Sequence, residues 1–132
     1  MEKEKGVEEM YEGIHHVSLL VSDIEKAKHF YGDVLGFDES PDRPDFGFPG
    51  AWYQLGSTQI HLIVHKEGRT FRGTTAIDSR DGHFAVRVKD MEAFILRLEE
   101  NGVEMLNKPE NKTEWHQVYI SDPDGNIIEF NK

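Results

Sequence analysis

Four side chains in this chain carry ligand chemistry at matched positions: His16, His61, His83 and Glu129. Neutral imidazole and carboxylate are good donors to Zn, Ni, Co, Mn or Fe in the divalent state. The sequence has no cysteine, so any metal must be held by nitrogen and oxygen. His16 and His61 are 45 residues apart, His83 and Glu129 are 46 apart, and His83 follows His16 by 67. A lone strand histidine is usually a core or surface group, but four independent polar residues would not be expected to fall into this register. We therefore read them as one set holding one divalent cation. Two His and one carboxylate is the facial arrangement of non-haem Fe(II) oxygenases and a common catalytic Zn set. With a fourth protein ligand, a six-coordinate ion still takes two waters or a bidentate substrate, polarises a carbonyl and stabilises an enediolate. His15, His29, His65 and His116 read as non-ligands.

These positions fall on a sequence that repeats itself. Residues 13–21 alternate as a strand, Ser22-Asp23 offers an N-cap, and Ile24 to Leu35 has helical spacing of Ala27, Phe30, Tyr31 and Val34, with Gly36 as the stop. Residues 82–88 are again a strand, Lys89-Asp90 leads into a helix from Met91 to about Asn101, and Gly102 stops it. Asp90 lies 67 residues after Asp23 but Gly102 only 66 after Gly36, so the register slips by one inside the helix. Short strand patterns around 37–40 and 103–107, then 52–55 with 59–64 and 117–120 with 127–132, complete two β-α-β-β-β units. Asp122-Pro123-Asp124-Gly125 is a turn signal. The predicted fold is α+β: two tandem βαβββ modules forming curved mixed sheets around a metal-binding cleft. Each helix is expected to cover the outer face of its own sheet. Residues 1–12 read as a flexible tail and 13–132 as one domain, with module one at 13–65, a linker at 66–81 and module two at 82–132.

Strand alternation assigns faces. Val17, Leu19 and Val21 should pack on the helix, while His16 points into the cleft and His15 the other way. Ile60, Leu62 and Val64 oppose His61; Phe84, Val86 and Val88 oppose His83 and Arg87; Ile128 and Phe130 oppose Glu129. By the same parity Trp52, Gln54, Gln117 and Tyr119 line the cleft or pack beside it. Arg87 either meets a substrate carboxylate or stands in solvent.

The 132 residues suit one modest core. A formal charge of −10 argues against nucleic acid or an anionic membrane as partner and leaves a small-molecule substrate as the expectation. The charged N-terminus lacks the apolar run of a signal peptide, and no stretch has the ~20 apolar residues of a membrane span, so a cytoplasmic protein is expected.

Three segments carry a family resemblance: His-His-Val-Ser-Leu-Leu-Val-Ser-Asp-Ile at 15–24, Phe-Tyr-Gly-Asp-Val-Leu-Gly-Phe at 30–37, and Asp-Pro-Asp-Gly-Asn-Ile-Ile-Glu-Phe at 122–130. They resemble the vicinal oxygen chelate superfamily, which includes glyoxalase I, fosfomycin-resistance proteins, extradiol dioxygenases and bleomycin-resistance proteins. The resemblance implies ligands on the first and last strands of each module, where His16, His61, His83 and Glu129 stand. Three-ligand members use the positions of His16, His83 and Glu129. Bacterial glyoxalase I often has Glu where this chain has His61, which leaves Glu129 as the carboxylate candidate for a general base. The first expectation is a glyoxalase I-like, metal-dependent lyase or isomerase acting on vicinal oxygens. The alternatives are a fosfomycin-resistance-type thiol transferase or hydrolase, with Arg69, Arg72, Arg80 and Arg87 as candidate anion contacts, a ring-cleaving dioxygenase, or a metal-free drug-binding protein. Related small members pair, so a homodimer is expected.

Overall fold

The computed structural model describes residues 10–65 and 71–132. Residues 1–9 of the expected tail and 66–70 of the expected linker, Arg69 among them, lie outside the described residues. Module one runs β1 (His16–Val21), α1 (Ile24–Lys28) continued by a π-helical turn (His29–Val34), β2 (Asp38–Glu39), β3 (Gly50–Leu55) and β4 (Thr58–Val64). Module two runs β5 (His83–Arg87), α2 (Met91–Glu100), β6 (Leu106–Lys108), β7 (Gln117–Ser121) and β8 (Ile127–Asn131). Each module folds into a four-stranded mixed sheet, in the orders β1-β4-β3-β2 and β5-β8-β7-β6. The pairs β1–β4 and β5–β8 are parallel and the others antiparallel. Both helices begin on aspartates: Asp23 accepts from the amides of Glu25 and Lys26, and Asp90 from that of Ala93.

The first helix departs from the expected α-helix to Leu35. The Leu35 amide donates to the Phe30 carbonyl five residues back, the spacing of a π-turn. A π-turn absorbs one extra residue, and module one has one more residue than module two between its N-cap aspartate and its stop glycine. The one-residue slip in the repeat thus has a physical counterpart. The widened turn keeps Phe30, Tyr31 and Val34 all buried.

One apolar core joins the modules. It gathers Val21, Tyr31, Ile60 and Leu62 from the first with Leu98, Ile120, Ile128 and Phe130 from the second. Both helices take part in this shared core through Ala27, Met91 and Leu98. Arg97 of α2 donates to the carbonyls of Val34 and Asp33 at the end of the first helix. The 122–126 turn locks the junction. Buried Asp122 accepts the Tyr31 hydroxyl at 2.7 Å, the Asn126 amide side chain, and the backbone N–H groups of Asp124 and Asn126. Asn126 also donates to the Leu20 carbonyl, and Ser22 donates through both its amide and its hydroxyl to Asp124. Gly125 has φ +92°, and a Cβ there would sit 2.1 Å from the Thr74 carbonyl oxygen, so the turn and the 71–76 segment fit only with glycine.

Removing one partner of a buried hydrogen bond leaves the other unsatisfied. Tyr31→Phe is expected to lower the unfolding free energy in urea by about 1–2 kcal/mol. Gly125→Ala should cost more, since both its φ and its contact with Thr74 are violated. A Gly125→Ala protein as stable as the parent would contradict this packing.

Candidate functional site

On the first sheet, the register sets Ser18 beside His61 across β1–β4 and Trp52 opposite His61 across β3–β4. His16, His61 and Trp52 thus share the face away from the core. Their rings form a stack: His16 on His61 at 4.0 Å and 14°, His61 on Trp52 at 4.2 Å and 5°. A histidine ligand binds through an in-plane lone pair. Nearly parallel rings 4 Å apart direct their lone pairs along parallel planes, so in this arrangement His16 and His61 do not converge on one ion. His61 Nε2 instead meets Gln59 Oε1 at 2.9 Å, and Gln59 donates to Gln54 Oε1. Burial first, then the neighbouring His16, His15 and Arg43, pushes the His61 imidazole below its ordinary value. His15 was expected to turn away. It precedes β1, where alternation does not apply, and its Nδ1 lies 2.8 Å from His16 Nδ1.

On the second sheet the geometry converges. His83 Nε2 lies 3.4 Å from Oε1 of buried Glu129. His83 Nδ1 is 2.8 Å from the Asp81 carbonyl, which can only accept, so Nδ1 carries a proton. Nε2 then faces Glu129 Oε1 across 3.4 Å. Two donors about 2.1 Å from one tetrahedral ion lie about 3.4 Å apart. A backbone carbonyl on the far nitrogen is also the usual support of a metal-ligating histidine. Around Glu129, Tyr119 OH donates to Oε1 at 2.9 Å, Gln117 Nε2 to Oε1 at 3.4 Å, and Asn131 Nδ2 to Oε2 at 2.6 Å. Burial and the bond to Glu129 push the Tyr119 phenol up to about 12.

The four ligand-type residues therefore fall as two pairs, one per sheet, each on the face away from the common core. Among the described residues no three His, Asp or Glu side chains gather in a group that could hold a metal. The chain presents two half-sets of fitting donor chemistry, which it does not itself bring together. A groove of about 510 Å³ separates β1 and β4 from β5, lined by Val17, Thr58, Ile60, His83, Phe84 and Arg87 among others.

Of the other expected contacts, Trp52, Gln117 and Tyr119 stand beside the ligand residues. Gln54 is exposed and reaches His61 through Gln59. Arg87 is exposed with its guanidinium over the Trp115 ring at 5.6 Å. Arg72 is no substrate cation: it pairs with Asp81 and donates to the carbonyls of Gly125 and Ala76. The same bond holds the Asp81 carboxyl below its ordinary range. Gln59 and Asn131 were not expected. Each lies two residues from a ligand candidate on its strand, so parity carried the signal. Arg43, close to His61, and Lys108, with its ammonium 5.7 Å over Tyr119, lay outside any pattern in the sequence.

The profile of the Glyoxalase/Bleomycin resistance protein/Dioxygenase superfamily matches residues 13–130. The chain belongs to this superfamily. It is 32% identical over 127 residues to a metallothiol transferase FosB of Shouchella clausii (strain KSM-K16), covering 91% of this chain and 80% of the relative. A glyoxalase family protein from Bacillus anthracis has a crystal structure that superposes with a TM-score of 0.76 at 27% identity, over 92% of this chain and 94% of that one. TnmS3, an antibiotic binding protein from Streptomyces sp. CB03234, superposes with a TM-score of 0.69 at 32% identity, over 92% and 96%. Within the superfamily, paired βαβββ modules are the shared architecture seen here. Among the described residues no helix is long and apolar enough to cross a membrane.

The tyrosines set an alkaline limit. Tyr119 and Tyr53 are pushed up to about 12 by burial first, and Tyr31 is raised by burial and by Asp122. A folded-state value above the unfolded one means the native state holds the proton more tightly. Their contribution is complete below about pH 10 and is lost as pH rises toward 12. Urea midpoints should fall between pH 9.5 and 11.5, as estimated from these values, and Tyr119→Phe should flatten that fall; a parent midpoint unchanged over this range would refute it.

Proposed function

We propose that this protein is a divalent-metal-dependent enzyme whose site is completed between two copies of the chain, and that it transfers a thiol to a small electrophile bearing adjacent oxygens. The observation that carries the metal is the His83–Glu129 pair, with its 3.4 Å separation and its backbone-held Nδ1. On this reading His83 and Glu129 of one copy and His16 of another hold the ion, and His61 stays in the ring stack beside it. Two half-sets on opposite faces of one core need a second chain to meet. Strands β1 and β5 each end a sheet and can be covered by it.

A bound divalent ion supplies Lewis-acid polarisation of a substrate oxygen. The chain does the rest through Glu129, Tyr119, Gln117 and Asn131. The last three donate to the two carboxylate oxygens and orient Glu129. The glyoxalase-type isomerisation expected from the sequence asks Glu129 to be the base. The similarity to a metallothiol transferase favours thiol transfer instead. With no cysteine in the chain, the thiol must arrive as co-substrate. The Tyr119 phenol stays protonated at neutral pH and keeps its proton on Glu129 Oε1.

A second reading is a ligand-binding protein without catalysis, supported by the likeness to TnmS3 and by the exposed aromatic rings near Trp52. Metal content separates the two. His16→Ala and Glu129→Ala should each abolish tight Mn(II) or Zn(II) binding. Mixed and refolded together, they should regain about a quarter of the sites, because half of randomly paired dimers are mixed and each restores one intact site of two. No recovery on mixing, with metal bound by the parent, would place the site within one chain. No metal bound by the parent would overturn the enzyme reading. A panel of thiols with epoxides and hemithioacetals then tests the reaction.

A further inference from the structure

The 41–49 loop builds a feature that the ligand residues do not use. Phe48 stacks on Phe46 at 5.6 Å and 16°, Phe46 leans on Trp52 at 6.2 Å, and Trp52 stacks on His61. The ring stack on the first sheet therefore continues outward through two more aromatic rings, Phe46 and Phe48. Phe46 and Phe48 remain 49% and 43% exposed. Arg43 lies over both phenyl rings, its guanidinium carbon 5.1 and 5.4 Å from their centres, and its Nη2 donates to the Phe48 carbonyl. Among the described residues no carboxylate lies within ion-pair distance of Arg43. A guanidinium has five N–H donors in a plane, so one hydrogen bond leaves an edge for a ligand.

The seat for this cation is built. A Cβ on Gly50 would stand 2.7 Å from Arg43 Nη2 and 2.5 Å from the Leu62 carbonyl, so a side chain there would displace the arginine. Beside the loop lies an apolar hollow of about 640 Å³, lined by Phe48, Pro49, Ile63 and Val64 among others. That volume is in the range of small-molecule sites. Arg43 is half-buried among exposed rings, with Asp42 and Asp45 in the same loop and no ion pair to either.

We propose that Arg43, Phe46, Phe48 and Trp52 form a subsite for a small ligand that is flat, conjugated and anionic, of the aryl carboxylate class. The rings supply faces on which a planar group stacks, each pair worth about 0.5–1.5 kcal/mol. The guanidinium, beside both phenyl rings, pairs with two carboxylate oxygens at once. The Trp52–His61–His16 stack runs from this platform to the first half-set. The subsite stands on the loop itself and does not need the metal.

The test is calorimetric titration of the full chain with 2-naphthoate and its neutral counterpart 2-naphthylmethanol, each in EDTA and again with Mn(II), with the Trp52 indole followed by NMR. We expect 2-naphthoate to bind in EDTA at least about tenfold tighter than the alcohol, one good charge-assisted hydrogen bond's worth, and to shift the Trp52 indole. Arg43→Gln should remove that preference while the alcohol binds as before, and Arg43→Lys should restore part of it. Phe46→Leu, which keeps apolar volume, should weaken both ligands. Circular dichroism melting shows that each variant is folded. Equal affinity for acid and alcohol, unchanged naphthoate affinity in Arg43→Gln, or no binding would overturn the proposal. Naphthoate binding that needs Mn(II) would also overturn it, since the carboxylate would then sit on the metal. Absence of metal binding with the Arg43 effect intact would sink the enzyme reading and leave this subsite standing.

Discussion

The buried carboxylate of Asp122 decides which way the two ligand faces look. It accepts from Tyr31 of the first module and from Asn126 and two backbone amides of its own turn, and Asn126 in turn donates to Leu20. A buried charge is tolerated only when its lone pairs are met. The four donors that meet them come from both modules, so the carboxylate fixes their relative pose. Arg97 reinforces it from the helix side. With the helix-bearing faces turned to a common core, alternation along β1, β4, β5 and β8 leaves His16, His61, His83 and Glu129 on the outer faces. The packing that stabilises the chain is also what keeps its two ligand pairs apart.

The two outer faces solve different problems. On the second, every polar partner of Glu129 comes from β7 or β8 itself, and β5 brings His83 to it with its ring held by the Asp81 carbonyl. Strands place side chains more rigidly than loops do, and a donor pair at coordination distance needs that rigidity. On the first face, aromatic stacking governs. His61 lies between Trp52 and His16 with its Nε2 on Gln59. A neutral imidazole suits that sandwich, and burial favours the neutral form.

Much of this was legible in the sequence because it rests on period and symmetry. The two-residue alternation placed His16, His61, His83 and Glu129 opposite the core residues, and the repeat gave the element order. Even the one-residue slip before Gly36 was visible, although its form as a π-turn was not, since a helical pattern does not reveal where an extra residue is absorbed. What stayed hidden depends on how modules pack. The Asp122-Pro123-Asp124-Gly125 run reads as a turn, but nothing in it says that its carboxylate reaches Tyr31, 91 residues away. Hence the sequence did not show that the four ligand candidates fall as two pairs. Arg72 looked like a candidate anion contact because sequence cannot show that its donors are met by Asp81, Ala76 and Gly125. Arg43 was missed because loop residues obey no period.

On the proposed reading, the count of ligands follows from the stack. A four-ligand site would need His61 to leave Trp52 and turn its lone pair toward the ion that His16 meets, giving up two ring contacts and the Gln59 bond. A three-ligand site of His16, His83 and Glu129 asks nothing of His61 and leaves more positions open around the ion. On the proposed reading this difference matters for the reaction. A thiol transfer needs room for a substrate oxygen and does not need a carboxylate base. A proton-shuttling isomerase needs a carboxylate beside the substrate that is not taken up by the ion. The residue at position 61 thus links ligand number to chemistry. A histidine there can stack between two rings, which a glutamate cannot.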